Sequence, residues 1–481
     1  MTMKHAPLYE ALIKHTKNNK WSFHVPGHKN GHIFEKTAEP FFQSVLPLDA
    51  TELTGLDDLH HPEGAILEAQ ELLASFYKVK RSYFLIGGST SGNLAMILSS
   101  FIQGDIVLVQ RNCHKSVLNG LELAGVEPVF LSPEIDEDGG FPLGVSLDTV
   151  KEAIKCYPES KGIILTNPTY YGIQQGIEDI AEIIHAHNGI VLVDEAHGAH
   201  FGLKNMPHSA IHRGADIVVQ SAHKTLPALT MGAFLHVNSD QVDEYRLSQS
   251  LQMVQSSSPS YLIMASLDLS RLYMENLSQA DLEKIILQAE EFRVFINSLN
   301  HLHTVKTPAG YILDPLKITL QSDKDISGFE LQHLFEDEGL FTELADDRNV
   351  LFILPLGAIN GLSELKKVFY KISDILSSYK NSIEEVQTIS EFPLISKLEL
   401  SYQDMKRIRV KHVQIEKAEG YAAAEAVIPY PPGIPLIAKG EKITSESIRH
   451  YLYLKEKGAR FQGINEQNKM HVFDISKEQQ L

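Results

Sequence analysis

Lys224 stands in Ser221-Ala-His-Lys-Thr225, between two short apolar runs, Asp216-Ile-Val-Val-Gln220 and Ala233-Phe-Leu-His-Val237. A lysine is seldom fully buried unless it is paired or chemically engaged, and desolvation lowers its pKa and makes it a better nucleophile. The chemistry such a group offers is Schiff-base formation with a carbonyl compound. Taken alone, the same residue reads equally as a surface lysine at a strand end, so the rest of the chain has to decide.

Three other stretches bear on that choice. Gly87-Gly-Ser-Thr-Ser-Gly-Asn93 follows a strand-type run and opens a helical one. Its small residues let backbone N–H groups approach a phosphate, Ser89, Thr90 and Ser91 add hydroxyls, and the helix dipole favours an anion. It matches neither the Walker loop nor the GxGxxG dinucleotide pattern, and a plain helix cap would look the same. In Arg111-Asn-Cys-His-Lys-Ser116, His114 falls just past a strand, at the sheet edge where doubly wound folds bind ligands, and its flat ring suits stacking on an aromatic cofactor. In Val191-Leu-Val-Asp-Glu-Ala-His-Gly198, Asp194 closes an apolar run. A carboxylate there is costly without a cation or several donors, and a protonated pyridine nitrogen would serve; the rival reading is a helix-capping aspartate. Phosphate loop, stacking histidine, pyridine aspartate and Schiff-base lysine thus occur in order, each at a strand end. Together they point to pyridoxal phosphate, whose protonated ring is an electron sink.

The elements that must position these groups alternate strand and helix. Strands are expected at 83–86, 106–109, 128–131, 162–165, 190–193, 217–220 and 233–237, several of them continuous apolar runs as in a sheet covered on both faces. Helices are expected over 62–77, 94–102 and 177–187. Right-handed crossovers then give a large, doubly wound, mostly parallel seven-stranded sheet, in which 233–237 is antiparallel because its connection is too short for a helix. We divide the chain into an N-terminal arm (1–60), a large cofactor-binding domain (61–300) and a smaller α+β C-terminal part (301–481). The proline-rich segment near 429–435 is expected to be extended.

Composition narrows the partners. With 61 acidic against 43 basic side chains the formal charge is −18, which disfavours non-specific binding to nucleic acid or to an anionic membrane. No apolar run of membrane-spanning length and no secretory start is present, so no membrane association is expected. Two cysteines, Cys113 and Cys156, suit a reducing compartment, and the expected location is the cytoplasm. No metal is expected.

At these residues the chain resembles the pyridoxal-phosphate-dependent ornithine/lysine/arginine decarboxylases of the aspartate-aminotransferase fold (fold type I). It is most similar to their short bacterial form, of arginine decarboxylase type. The resemblance runs through Phe23-His-Val-Pro-Gly-His-Lys29, Thr51–His60, Gly88–Ser91, Arg111–Lys115, Asp194–Gly198, Ser221–Lys224, Ser256–Tyr261 and Tyr430–Pro435. It implies that Lys224 carries the cofactor as a Schiff base, that Asp194 holds the pyridine nitrogen and that His114 stacks on the ring. It further implies that Ser89, Thr90, Ser221 and His223 bind phosphate and that Ala196 and His197 line the pocket. The Ser256–Ser258 segment, with Ser257 at its centre, resembles one that reaches the phosphate of a neighbouring subunit, which implies a homodimer. Glu425 matches an acidic position facing a cationic side chain. Gly87, where many relatives have asparagine, and Lys439, within what is often Pro-Gly-Glu, depart from the pattern.

The implied reaction is decarboxylation of a basic L-amino acid to its amine, arginine to agmatine first, lysine to cadaverine or ornithine to putrescine next. Lys224 or His223 would return the proton to Cα. An aminotransferase or carbon–sulfur lyase of the same fold is the enzymatic rival, since Arg348, Arg407 and Arg409 could grip an α-carboxylate. A non-catalytic regulator is the other, and the absence of a basic helix-turn-helix in residues 1–60 speaks against it.

Overall fold

The computed structural model describes residues 4–18, 21–381, 393–429, 434–464 and 468–474. Residues 430–433 of the proline-rich segment lie outside them. All seven expected strands form: β1 (Arg81–Leu85), β2 (Ile106–Gln110), β3 (Glu127–Leu131), β4 (Gly162–Thr166), β5 (Ile190–Asp194), β6 (Ile217–Gln220) and β7 (Ala233–Val237). The chain divides into two compact units, residues 1–100 with 190–282, and 101–189 with 283–481.

In the first unit the strand order is β1-β7-β6-β5. β6 and β5 are parallel, with Val219 opposite Asp194, while β7 is antiparallel to both β6 and β1. Two antiparallel steps restore direction, so β1, β5 and β6 all end at the same edge of the sheet. The expectation that β7 runs against β6 is met. β6 and β7 are buried throughout, as continuous apolar runs require. The helix Gly88–Ser100 follows β1 directly, and Gly92 sets how close it sits: a Cβ there would meet Leu85 Cδ1 at 2.6 Å and Val219 Cγ1 at 2.7 Å. Forcing in that methyl would cost about 1–3 kcal/mol and push the helix start away from the strands.

The arm begins with helix Pro7–Asn18, which buries Leu8 and Leu12. Asp268, fully buried and ion-paired to Arg271 at 2.7 Å, accepts the Leu8 amide at 3.0 Å and so pins the arm to helix Tyr261–Asn276. Beyond that helix the arm exposes Trp21 (82 %), Phe23 (93 %) and Phe41 (82 %).

In the second unit β4, β2 and β3 are parallel, and a strand not expected from sequence, Ile395–Lys397, adds antiparallel to β3. A four-stranded antiparallel sheet (Leu344–Ala345, Val350–Ile353, Lys317–Ser322, Leu302–Thr304) with helices Gly328–Asp337 and Leu362–Leu376 makes the expected α+β part. The tail pairs Val410–Gln414 with Lys469–Phe473. Among the described residues no helix is long and apolar enough to cross a membrane.

Candidate active site

Because β1, β5 and β6 end at one edge, the first unit gathers there most of the residues singled out by chemistry. Asp194 is the last residue of β5 and 2 % exposed. Its Oδ2 accepts from Asn93 Nδ2 at 2.8 Å and its Oδ1 from the Ala196 amide at 3.1 Å. Both donors are neutral and occupy about half of a carboxylate's acceptor capacity, which leaves room for a charged N–H. The bond to Ala196 closes a turn, and residues 195–207 form turns rather than a helix, so the helix-capping reading of Asp194 does not hold.

Ser221 follows β6, and its buried hydroxyl has no hydrogen-bond partner among the described residues; neither does that of Thr225. Buried hydroxyls are normally paired, so an acceptor supplied by a ligand is the simplest complement. At the start of helix Gly88–Ser100, Gly88 takes a left-handed φ of +71° with open space at its Cβ position, which suits close approach by a phosphate. Ser89 is half-buried and Thr90 exposed, while Ser91 spends its hydroxyl proton on the Gly88 carbonyl at 2.8 Å. An added Cβ at Gly87 would touch Ser91 Cβ and Oγ, both at 3.1 Å, so this turn is too tight for the asparagine of many relatives without adjustment.

Lys224 Nζ lies 3.1 Å from His197 Nε2. An ammonium has no lone pair, so the His197 nitrogen accepts. Sequence reasoning set His197 only in the pocket lining; the structure puts its ring on the lysine. His223 Nδ1 donates to the Gly232 carbonyl at 3.0 Å, which fixes that ring's orientation. Ser257 lies in an exposed segment whose neighbour Ser256 is tied through its carbonyl to His60 Nε2 at 2.8 Å.

The donor set fits pyridoxal phosphate: an amine with a base beside it, a carboxylate for a pyridinium, and a helix start with an orphan hydroxyl for a dianion. His114 and Glu425 belong to the second unit. The His114 ring caps helix Lys115–Ala124, its Nδ1 accepting from the Ser116 amide at 3.3 Å. Arg111, from the same loop, donates to the carbonyl of Pro435 at 2.9 Å and pairs with Glu441 at 2.7 Å, so it holds the end of the proline-rich segment. Lys439 pairs with Glu122, which gives this departure from the family pattern a structural partner. Glu425 Oε1 accepts from His471 Nδ1 at 2.6 Å and from its amide at 3.2 Å.

Sequence reasoning missed a buried polar chain behind the strand ends. Glu195 is fully buried and accepts from Ser209 Oγ at 2.6 Å, the Ala210 amide at 2.8 Å and Gln220 Nε2 at 2.6 Å. Gln220 Oε1 meets His236 Nε2 at 3.1 Å, and His236 Nδ1 meets Ser82 Oγ at 2.8 Å. Burial lowers the His236 pKa to about 3, so the ring is neutral; Gln220 Oε1 can only accept, which puts the proton on Nε2 and makes Ser82 the donor to Nδ1.

Burial also raises the Glu195 pKa to about 7, against the pull of its hydrogen bonds. An acid whose folded pKa is raised stabilises the fold below its unfolded pKa and loses that contribution as pH rises through 7. Glu195→Gln cannot take up this proton. Its destabilisation relative to the native chain is therefore expected to grow on acidification from pH 8 to 4, by up to about 3 kcal/mol, and urea unfolding at the two pH values measures it. The acid-side cost of His236 is common to both proteins and cancels. A difference that stays constant with pH would contradict the shift.

The known proteins to which the chain is similar can be set beside this geometry. The model of the Orn/Lys/Arg decarboxylase major domain matches residues 6–310, and that of the Orn/Lys/Arg decarboxylase C-terminal domain matches 388–471. The chain is 46 % identical over 461 residues to uncharacterized protein YaaO of Bacillus subtilis, covering 92 % of this chain and 93 % of that one. It is 34 % identical over 461 residues to the arginine decarboxylase of Bacillus cereus, covering 94 % of this chain and 100 % of that one. Among solved structures, lysine decarboxylase A from Pseudomonas aeruginosa shares the fold with a TM-score of 0.82 at 22 % identity, over 97 % of this chain and 80 % of that one.

Proposed function

The chain belongs to the Orn/Lys/Arg decarboxylase family, and we propose that it converts L-arginine to agmatine and carbon dioxide. The observation that carries the choice of arginine is the match along nearly the whole chain to the Bacillus cereus arginine decarboxylase, at 34 % identity.

Pyridoxal phosphate is the cofactor, and when bound it supplies the electron sink into which the electrons of the departing carboxylate flow. Every other step belongs to the protein. Lys224 is the attachment point, and His197 Nε2, at 3.1 Å, can take the proton that the lysine must lose to act as a nucleophile. Asp194 accepts from the pyridine nitrogen and keeps it protonated, in a site where its two other donors are neutral. Ser221, Ser89 and Thr90 bind the phosphate with the amides of the helix start, Ser91 shapes that turn, and His223 braces it through Gly232. After carbon dioxide leaves, Lys224, with His197 beside it, returns the proton to the substrate Cα. His114 is the residue that would stack on the cofactor ring, and Ala196 and His197 would line its pocket.

Glu425 takes the cationic side chain of the substrate. His471 occupies one of its oxygens twice, which leaves Oε2 to face a guanidinium. Glu425→Gln is therefore expected to raise KM for arginine about ten-fold with little change in kcat, the loss of one charge-assisted contact. An unchanged KM would remove Glu425 from the substrate site.

The enzyme works as a homodimer in this reading, supported by the exposed Trp21, Phe23 and Phe41 of the arm and by the exposed Ser257 segment, which would contact the phosphate bound by the other copy. The cytoplasm is the compartment that suits its two free cysteines. Product analysis tests the reaction class: agmatine with retention of the amino group is expected, whereas a keto acid would turn the reading to an aminotransferase.

A further inference from the structure

We propose that Glu195 is a positioning residue for the cofactor end of the site, acting as a carboxylate through Gln220 to hold Ser221, His197 and Lys224 in register. The inference rests on the reading that Ser221 and Lys224 bind the cofactor.

The geometry is continuous from one end to the other. Glu195 directly follows Asp194, and Gln220 directly precedes Ser221. Gln220 Nε2 donates to Glu195 Oε2 at 2.6 Å and to the Gly198 carbonyl at 3.3 Å, so one amide staples both ends of the Glu195–Gly198 turn. That turn carries His197, whose ring contacts Lys224. Its backbone is tied to β6 on either side, the Glu195 amide to the Val219 carbonyl at 2.9 Å and the Ser221 amide to the Ala196 carbonyl at 3.2 Å. Gly198 is required for the fold of this turn, since a Cβ there would strike Glu195 Cγ at 2.5 Å.

Polarity determines which residue can occupy position 195. Ser82 donates to His236, His236 to Gln220 and Gln220 to Glu195, while Ser209 and Ala210 donate from the other side. Apart from the Gln220 N–H that goes to the Gly198 carbonyl, these protons point at Glu195, which is their terminal acceptor when ionised. An amide in its place sets an N–H₂ against either Gln220 Nε2 or the Ala210 amide, and a buried donor facing a donor displaces either the Gln220 side chain or the residue-195 side chain that Gln220 holds. Exchanging the two residues, Glu195→Gln with Gln220→Glu, reverses the link between them, the new amide donating to Glu at 220, which still accepts from His236, but it leaves the Gly198 carbonyl without the donor it had in Gln220.

The test titrates apoprotein with pyridoxal phosphate and follows Kd and the pH midpoint of the Lys224-dependent absorbance, with the thermal midpoint of the apoprotein alongside. Glu195→Gln is expected to bind the cofactor about ten-fold more weakly and to shift the absorbance midpoint, and the exchange variant to recover part of that loss, since it restores the link to residue 195 but not the one to the Gly198 carbonyl. A merely structural role would lower the thermal midpoint and leave Kd and the absorbance midpoint alone. Native cofactor affinity in Glu195→Gln would overturn the proposal, as would an exchange variant that binds as weakly as the single one or does not fold. If Glu195→Gln itself does not fold, the exchange variant decides: a Kd within about ten-fold of the native value supports the proposal and a weaker one overturns it. Failure of the cofactor reading would show separately, as an absorbance band in the otherwise native chain that survives Lys224→Ala.

Discussion

Lys224→Ala is expected to lower arginine decarboxylation by about ten-thousand-fold or more, to the level of free pyridoxal phosphate, because it removes the covalent anchor, the nucleophile and the group that returns the proton together. Residues that act as a unit lose nearly all of their effect when one is removed, so no neighbour can compensate. The fold should survive: Lys224 is only half-buried, on a four-residue helical turn. The check is labelled carbon dioxide release with the visible spectrum of the cofactor-loaded protein. A variant that keeps the Schiff-base band and activity within ten-fold of native would place the covalent link elsewhere.

Asp194→Asn is the second large effect, with an expected loss of about 10²–10⁴-fold in kcat. An amide occupies the same volume and keeps a turn bond to the Ala196 amide through its oxygen, with its N–H₂ facing Asn93, whose side-chain amide must turn to accept, but it carries no charge to hold a proton on the pyridine nitrogen. The stability readout should go the other way. A buried carboxylate held by two neutral donors is costly in the apoprotein, so the neutral variant is expected to melt within a few degrees of native or above it. A large drop in the thermal midpoint with only a two- or three-fold drop in kcat would make Asp194 a structural residue.

The legible part of this site was the part written in order along the chain. Lys224, Asp194 and the Gly87–Asn93 turn each stand at or just past the end of a strand, and parallel strands deliver their ends to one edge whatever the side-chain detail. What could not be read was the chain behind them, because Ser82, Glu195, Gln220 and His236 meet only through sheet register: Ser82 pairs opposite His236, and His236 opposite Val218. One signal was available. Arg81-Ser-Tyr-Phe-Leu85, Ile217-Val-Val-Gln220 and Ala233-Phe-Leu-His-Val237 each set one polar residue, Ser82, Gln220 or His236, beside apolar strand neighbours, and polar residues in buried strands need partners of their own kind. The strand Ile395–Lys397 left no such mark, being three residues long and set by the edge of β3 rather than by its own pattern. His471 and Glu425 are 46 residues apart and meet where an isolated bridge sets Ala423 beside Val472 of the tail strand, a contact that no local motif announces.

The measurement that bears most directly on the account is carboxyl-labelled carbon dioxide release from L-arginine, L-lysine and L-ornithine by the purified protein with pyridoxal phosphate, with Lys224→Ala run in parallel. Release from arginine well above the other two, abolished in the variant, is the predicted result. No release from any of the three, with the Lys224-dependent absorbance intact, would contradict decarboxylation of basic amino acids and leave a cofactor enzyme of another reaction class.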